Sequence, residues 1–512
     1  MNTQPTGAPN RILSDRVGDS VWVGAPDWKA EFTAAGATFV PFFGSDAPHN
    51  MPASFQLSGL RIAGADQPIE AVAPSLGDHL VTIERGSVRE QYVLGMNGIE
   101  QQFLFETLPA RGAIELAIGM TGDYAVGRTG AGHRLNCALG SFDYGAAIAI
   151  DGSGRRATLT TDWDGSAFRI TVPQAFVAQA TLPLLIDPLV GNVVSNRVRT
   201  SEVVSIDLAY DHALQRYFSV YEHRFSATDG DVYLIEMDSQ MVNQVEMTID
   251  FTTTDWADVH IADNAATGKL LTVAAVSSNG QRWIGGRTYD AAAASLGLQF
   301  DVYRTSYAAH SPDVGGERGT IAGGRFPVVF TREWSATDHD VLVQMVDLNS
   351  RVTSSVVIAN SGGMEHSPAI SRCAGIADAQ QYWMIAFRRE RLGVNETIAA
   401  KFTGAAAPAM AAIAAADSRT GPVPLDVSSP RLPMLGRDCA IVDQRIANLA
   451  TAVHASLVSP NLVVTATQTV GNRITAPLIE TDGYRFGIAG IYETWDWSFV
   501  RTVTVSNAQL VN

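Results

Sequence analysis

The sequence predicts an all-β protein, an N-terminal β-sandwich-like module followed by a β-propeller of about six blades. Three observations predict it. Short alternating apolar runs punctuated by glycine turns fill residues 1–190, and a repeat of roughly 50 residues occupies 191–512. Inside that repeat one phrase recurs, RFSATDGDVY from Arg224 and EWSATDHDVL from Glu333, 109 positions apart serine to serine.

The composition fits a folded globular chain, with 46% hydrophobic and 17% charged residues over 512 positions. A formal charge of −16 repels phosphate backbones, which excludes nucleic acid as a partner. The longest small-residue run, GAAAPAMAAIAAA from Gly404, is too short to span a bilayer and reads as a loop or strand between repeats. Cys137, Cys373 and Cys439 are too scattered for a zinc ribbon; Cys373 and Cys439 lie at similar repeat positions and either pair or fill buried space. MNTQPTGAPNRILSDRVGDS has no basic start leading into an apolar run, so no signal peptide is read there.

In the first module, ATLTTDWDGSAFRITVP from Ala157 reads as a hairpin turning at Asp164-Gly165, where positive φ values are needed. PQAFVAQA from Pro173 reads as a helical turn with proline at its start. After IDPLVGN, Ile186 to Asn192, six segments follow one plan: short strand, polar turn, strand rich in Val, Phe, Tyr and Ile, charged end, third strand. Their anchors are Asp207, Asp258, Asp313, Ala369, Arg431 and Pro477, spaced 51, 55, 56, 62 and 46. One blade cannot bury both faces alone, and radial stacking covers them.

The phrases VREQYVLGMNGIEQQFLFETLPARGAIEL, ATLPLLIDPLVGN and the paired SATDxD copies resemble a group of large bacterial proteins. In that group a β-rich module with an LPLxIDPLxGN-type end leads into a propeller of such repeats. The resemblance implies a secreted or cell-surface setting and brings no catalytic residues.

Two readings fit the recurring phrase. Aspartate, serine and threonine side chains bond nearby backbone N–H groups in turns. Alternatively Asp229, Asp231, Asp338 and Asp340 are oxygen ligands for a hard cation such as Ca²⁺, helped by a neighbouring loop. No other cofactor is indicated. Strand-end residues Glu222, Arg224, Arg287, Arg332, Glu333, Arg388, Arg389, Glu390 and Glu493 have the types that glycosidase chemistry needs, or form a solvated rim. His310 and His366, each before a serine, read as the start of equivalent strands. The aromatic runs QYWMIAF from Gln381 and TWDWSF from Thr494 would stack on sugars if exposed and otherwise fill the space between blades. With no GxSxG elbow, P-loop or HExxH, the sequence favours a non-catalytic extracellular or envelope-associated binding or scaffold protein for a glycan or protein ligand. The alternatives are a propeller glycoside hydrolase or lyase acting on polysaccharide, and a structural subunit of a surface assembly.

Overall fold

The structure, a computed structural model, describes residues 11–506 apart from 131, 197, 212, 265–266, 317–323, 375–380, 392–393, 405–406, 416–424, 429–437, 448–449, 473, 482–484 and 494–497. The anchor Arg431 and most of TWDWSF lie outside the described residues. Two compact units result: Met1–Val204 with His223–Tyr233 and Glu246–Asp255, and Ser205–Glu222 with Leu234–Val245 and Trp256–Asn512.

The N-terminal residues form a nine-stranded and an eleven-stranded sheet, antiparallel wherever a register is defined. Strand Arg89–Gly95 alternates buried and half-buried residues along its length, the period-two pattern of a sheet with one covered face. Phe55, Ile118 and Phe168 of the first sheet share one core with Phe103, Phe142 and Tyr144 of the second. The Tyr144 ring stacks on Phe168 at 4.1 Å. Strand Leu189–Ser195 carries the second sheet past residue 190. The hairpin turns at Gly165, φ +99°, and Asp164 Oδ1 accepts the backbone N–H groups of Ser166 and Ala167. Among the described residues the helix of this module is Gln174–Gln179, started by Pro173.

Between the two sheets lies a buried polar knot. Glu90 accepts hydrogen bonds from Arg85 Nε (2.8 Å), the Tyr92 hydroxyl (2.6 Å) and Gln101 Nε2 (2.9 Å), and Tyr144 donates to Gln101 Oε1. The Arg85 guanidinium also reaches the carbonyls of Ala35 and Glu70. Burial beside the Glu90 carboxylate pushes the Tyr92 hydroxyl far above its ordinary range.

The repeats form a propeller. Blades 1, 2, 3 and 5 each have four strands, opening at Glu202, Asp255, Ala309 and Leu425; blade 4 opens at Met364, and blade 6 shows three strands among the described residues, from Ile474. Ala409–Ala415, from the small-residue run, is the fourth strand of blade 4. The cores lie between consecutive blades: Phe326, Val328 and Phe330 of blade 3 pack with Leu271, Val273 and Ile284 of blade 2, whereas Val329 packs with Ile385 and Phe387 of blade 4. Successive residues of one strand thus serve opposite neighbours, which is why those strands read as continuous apolar runs. Cys373 and Cys439 are both buried thiols outside any disulfide, so the pairing option is not realised. Asn279 and Gly280, both at positive φ, close the tight hairpin of blade 2.

Candidate functional site in the propeller channel

The first strand of each blade carries a repeated bonding pattern. Asp207 Oδ1 accepts the N–H of Leu208, and its Oδ2 accepts the N–H of Ile261 in blade 2. Asp313 does the same with Val314 and Ile370, and Asp426 with Val427 and Ile479. One carboxylate on every second blade therefore stitches its strand to that of the next. This register makes Asp207, His260, Asp313, Ala369, Asp426 and Leu478 equivalent. The sequence anchors at Asp258, Arg431 and Pro477 are displaced from it by two, five and one residue. Asp258, with Ser311 and Ser367, instead marks a bulge at positive φ just before that position.

Where blade 2 breaks the aspartate pattern, an imidazole enters a ring of carboxylates. His260 Nδ1 lies 3.6 Å from Asp207 Oδ2 and 3.5 Å from Asp313 Oδ1, and Nε2 lies 3.6 Å from Asp258 Oδ1. The His260 side chain keeps 30% of its surface open, and those of Asp207 and Asp258 keep 32% and 49%. Desolvation works against a charged imidazole here, but the surrounding carboxylates outweigh it and hold His260 well above its ordinary value. Asp313 is pushed up to about 6 by burial, with His260 pulling the other way. Since both oxygens approach the same nitrogen, those of Asp207 and Asp313 are no more than about 7 Å apart.

Further polar groups lie around the start of blade 3. His310 Nε2 is 3.3 Å from Glu333 Oε1, and Glu333 also pairs with Arg282. His310 Nδ1 and His366 Nδ1 each contact the hydroxyl of the following serine, so both do begin equivalent strands. Burial lowers both imidazoles, His366 to about 4. Trp334, half exposed, stacks on Tyr307 at 4.5 Å, and the Arg332 guanidinium covers both rings. Thr331 Oγ1, Arg332 Nε, Asp338 Oδ1, His339 Nδ1 and Asp340 Oδ1 are buried there without a protein partner, a concentration that suits water or ligand hydroxyls.

The two SATDxD copies meet different fates. In both, the serine hydroxyl accepts the N–H of the threonine two residues on, so the turn-forming role belongs to Ser226 and Ser335. The aspartates start the next strand. In the first copy the position expected for Ca²⁺ is filled by an ammonium group: Lys29 Nζ lies 2.6 Å from Asp229 Oδ2 and 2.7 Å from Asp231 Oδ1. In the second, Asp340 pairs with Arg332. Among the described residues no group of three or more His, Cys, Asp or Glu side chains could hold a metal ion.

Most of the strand-end charges are occupied elsewhere. Glu222 caps the Asp258 N–H, Arg224 pairs with Asp255, Arg287 bonds the Gly297 carbonyl, Arg388 reaches Asp443 and the Gln444 carbonyl, and Arg389 pairs with Glu396. Only Arg332 and Glu333 join the exposed aromatics and His310. Glu390 lies across the hairpin from Asn395, and the Glu493 side chain is outside the described residues. Tyr382, Trp383 and Phe387 of QYWMIAF are core residues, and among the described residues the exposed aromatic is Trp334, inside the repeated phrase itself.

No family model matches the chain, and no curated protein matches it. Among solved structures, Trypanosoma rangeli sialidase in complex with the inhibitor DANA superposes with a TM-score of 0.42 at 8% identity, over 61% of this chain and 56% of the sialidase. The GH43 endo-arabinanase of Bacillus licheniformis gives 0.30 at 9% identity over 48% and 93% of the two chains, and the endo-arabinase of Bacteroides thetaiotaomicron 0.31 at 9% over 59% and 92%. The matched region is little more than half of the sialidase's length. At these scores no residue, substrate or mechanism is carried over. The expectation of a non-catalytic binding or scaffold protein is not supported by these matches, whose names are those of a sialidase and of arabinan-cleaving enzymes; the glycoside hydrolase alternative is taken up below on this chain's own residues.

Proposed function

We propose that the chain is a glycoside hydrolase acting on polysaccharide outside the cell, with its reactive groups in the propeller channel. The observation that carries this reading is the pair Asp207 and Asp313 that both approach His260 Nδ1, with Asp313 pushed up to about 6. Glycoside cleavage needs one carboxyl that still holds its proton to protonate the leaving oxygen and a second to act as base or nucleophile. Environments that separate two carboxyls supply that division of labour. Asp313 is the proton donor and Asp207 the second carboxyl; the His260 imidazolium positions both. The Trp334 and Tyr307 rings offer a stacking face for a sugar, and Arg332 and Glu333 offer hydrogen bonds to its hydroxyls. A polymeric substrate places the work outside the cell, in accord with the setting that the sequence resemblance implies. Among the described residues no helix is long and apolar enough to cross a membrane.

The test is release of reducing ends from a panel of neutral and acidic polysaccharides. Wild-type protein should cleave at least one of them, Asp207→Asn should lose about 100-fold or more in kcat, and Trp334→Ala should chiefly raise KM. Absence of turnover across the panel between about pH 4 and 8, or full activity in Asp207→Asn, would sink the assignment.

A further inference from the structure

The first SATDxD copy holds a group of side chains that the channel chemistry does not use. Lys29, on strand Trp28–Phe32, and Asp229 and Asp231, at the start of strand Asp229–Met237, are all essentially without solvent contact. All three belong to the same compact unit. The Phe225 ring centroid is 4.2 Å from Lys29 Nζ, and Phe42 packs against that ring at 5.1 Å. Asn50 Nδ2 donates to Asp229 Oδ2, the same oxygen that Lys29 approaches, while Asp229 Oδ1 has no partner. Tyr233 donates to Asp231 Oδ2, and the Thr252 carbonyl accepts from Lys29.

Two carboxylates against one ammonium would leave a net negative charge in a dry, aromatic-lined site, which is costly. Burial accordingly raises both carboxyls, Asp231 the further, so one of the two holds a proton. What results is an ammonium group, the Asp229 carboxylate and the Asp231 acid in contact, with the Asn50 amide donating to the carboxylate and almost no solvent contact. The second copy of the phrase lacks this chemistry, since Arg332 stands beside Asp340 and a guanidinium is not a nucleophile at any ordinary pH.

The geometry points to a self-formed isopeptide bond between Lys29 Nζ and Asp229 Cγ. The ammonium first passes a proton to the Asp229 carboxylate that it pairs with, the Asp231 acid beside the same Nζ serving as the proton relay. The free amine then adds to the carboxylic carbon of Asp229, and Asn50 Nδ2 stabilises the oxygen that gains charge. The nitrogen loses a proton as the Asp229 hydroxyl takes one and leaves as water. Asp231 ends protonated, and nothing is oxidised or reduced. Three buried ionisable groups become one neutral amide and one neutral acid, so the product relieves the buried charge that the precursor carries. The bond would close a loop between positions 200 residues apart, joining Trp28–Phe32 to Asp229–Met237.

Intact-mass spectrometry and peptide mapping of the full chain, purified without added cross-linker, test this. The wild type should be one water molecule lighter than its sequence, resist trypsin at Lys29, and give a branched peptide joining Lys29 to Asp229. Lys29→Arg and Asp231→Asn should each return to the mass of their own sequence. Wild-type protein at full mass, with the Lys29 and Asp229 peptides recovered separately, overturns the bond. Loss of water that persists in Lys29→Arg also overturns it, because a succinimide at Asp229-Gly230 then accounts for the mass. If the substitutions prevent folding, the branched peptide of the wild type decides by itself.

Discussion

Asp313→Asn is expected to lower kcat/KM on a susceptible polysaccharide by about 100-fold or more, the range over which a positioned general acid contributes. The asparagine amide oxygen can still accept one of the two backbone N–H bonds from Val314 and Ile370, so the blade stitch is weakened rather than abolished. The pH profile separates the two roles. Wild-type activity should decline as the pH rises through about 6, where Asp313 gives up its proton, and the variant's residual activity should lack that limb. Stability follows the same sign. Asp313 and His260 both bind a proton more tightly when folded. Asp313's contribution is therefore complete below the ordinary carboxyl value of about 4 and lost as pH rises through 6. That of His260 is complete below about 6.5 and lost only at its raised folded value.

The second large effect is on stability. Glu90→Ala should destabilise the N-terminal module by about 3–5 kcal/mol, because it strands a buried guanidinium together with the Tyr92 hydroxyl and Gln101 amide that Glu90 accepts from. Replacing the pair with apolar residues of similar volume, Arg85→Met with Glu90→Leu, should recover most of that loss. Urea unfolding followed by Trp fluorescence measures both. A loss under about 1 kcal/mol for Glu90→Ala would show that the knot is hydrated rather than sealed between the sheets.

The fold was legible because it is written in period. Alternation along Arg89–Gly95 and the Asp164-Gly165 turn mark the sandwich, and the recurrence of SATDxD marks the blades. The site was only half legible. Asp207, Asp258 and Asp313 stood out as repeat anchors, yet a sequence does not say that the carboxylates of blades 1 and 3 meet at one imidazole of blade 2. His260 carried no signal at all: it occupies one of the three blade positions without an aspartate, its register shifts by two at the bulge, and the hydrogen bond from Ile261 to Asp207 fixes that register. The SATDxD aspartates misled for a related reason. Local sequence showed two carboxylates seeking a cation, and the cation came from Lys29, 200 positions upstream. Likewise Trp383 of the aromatic run QYWMIAF is a core residue, while Trp334, within the repeated phrase, is exposed.

The most direct measurement is the structure of Asp313→Asn with an oligosaccharide from whichever polymer the wild type cleaves. A glycosidic oxygen is expected within hydrogen-bonding reach of residue 313 and the anomeric carbon on the side of Asp207, with Trp334 stacked on a neighbouring sugar. A sugar chain bound away from His260, with the channel carboxyls engaged only in their stitches between blades, would contradict it.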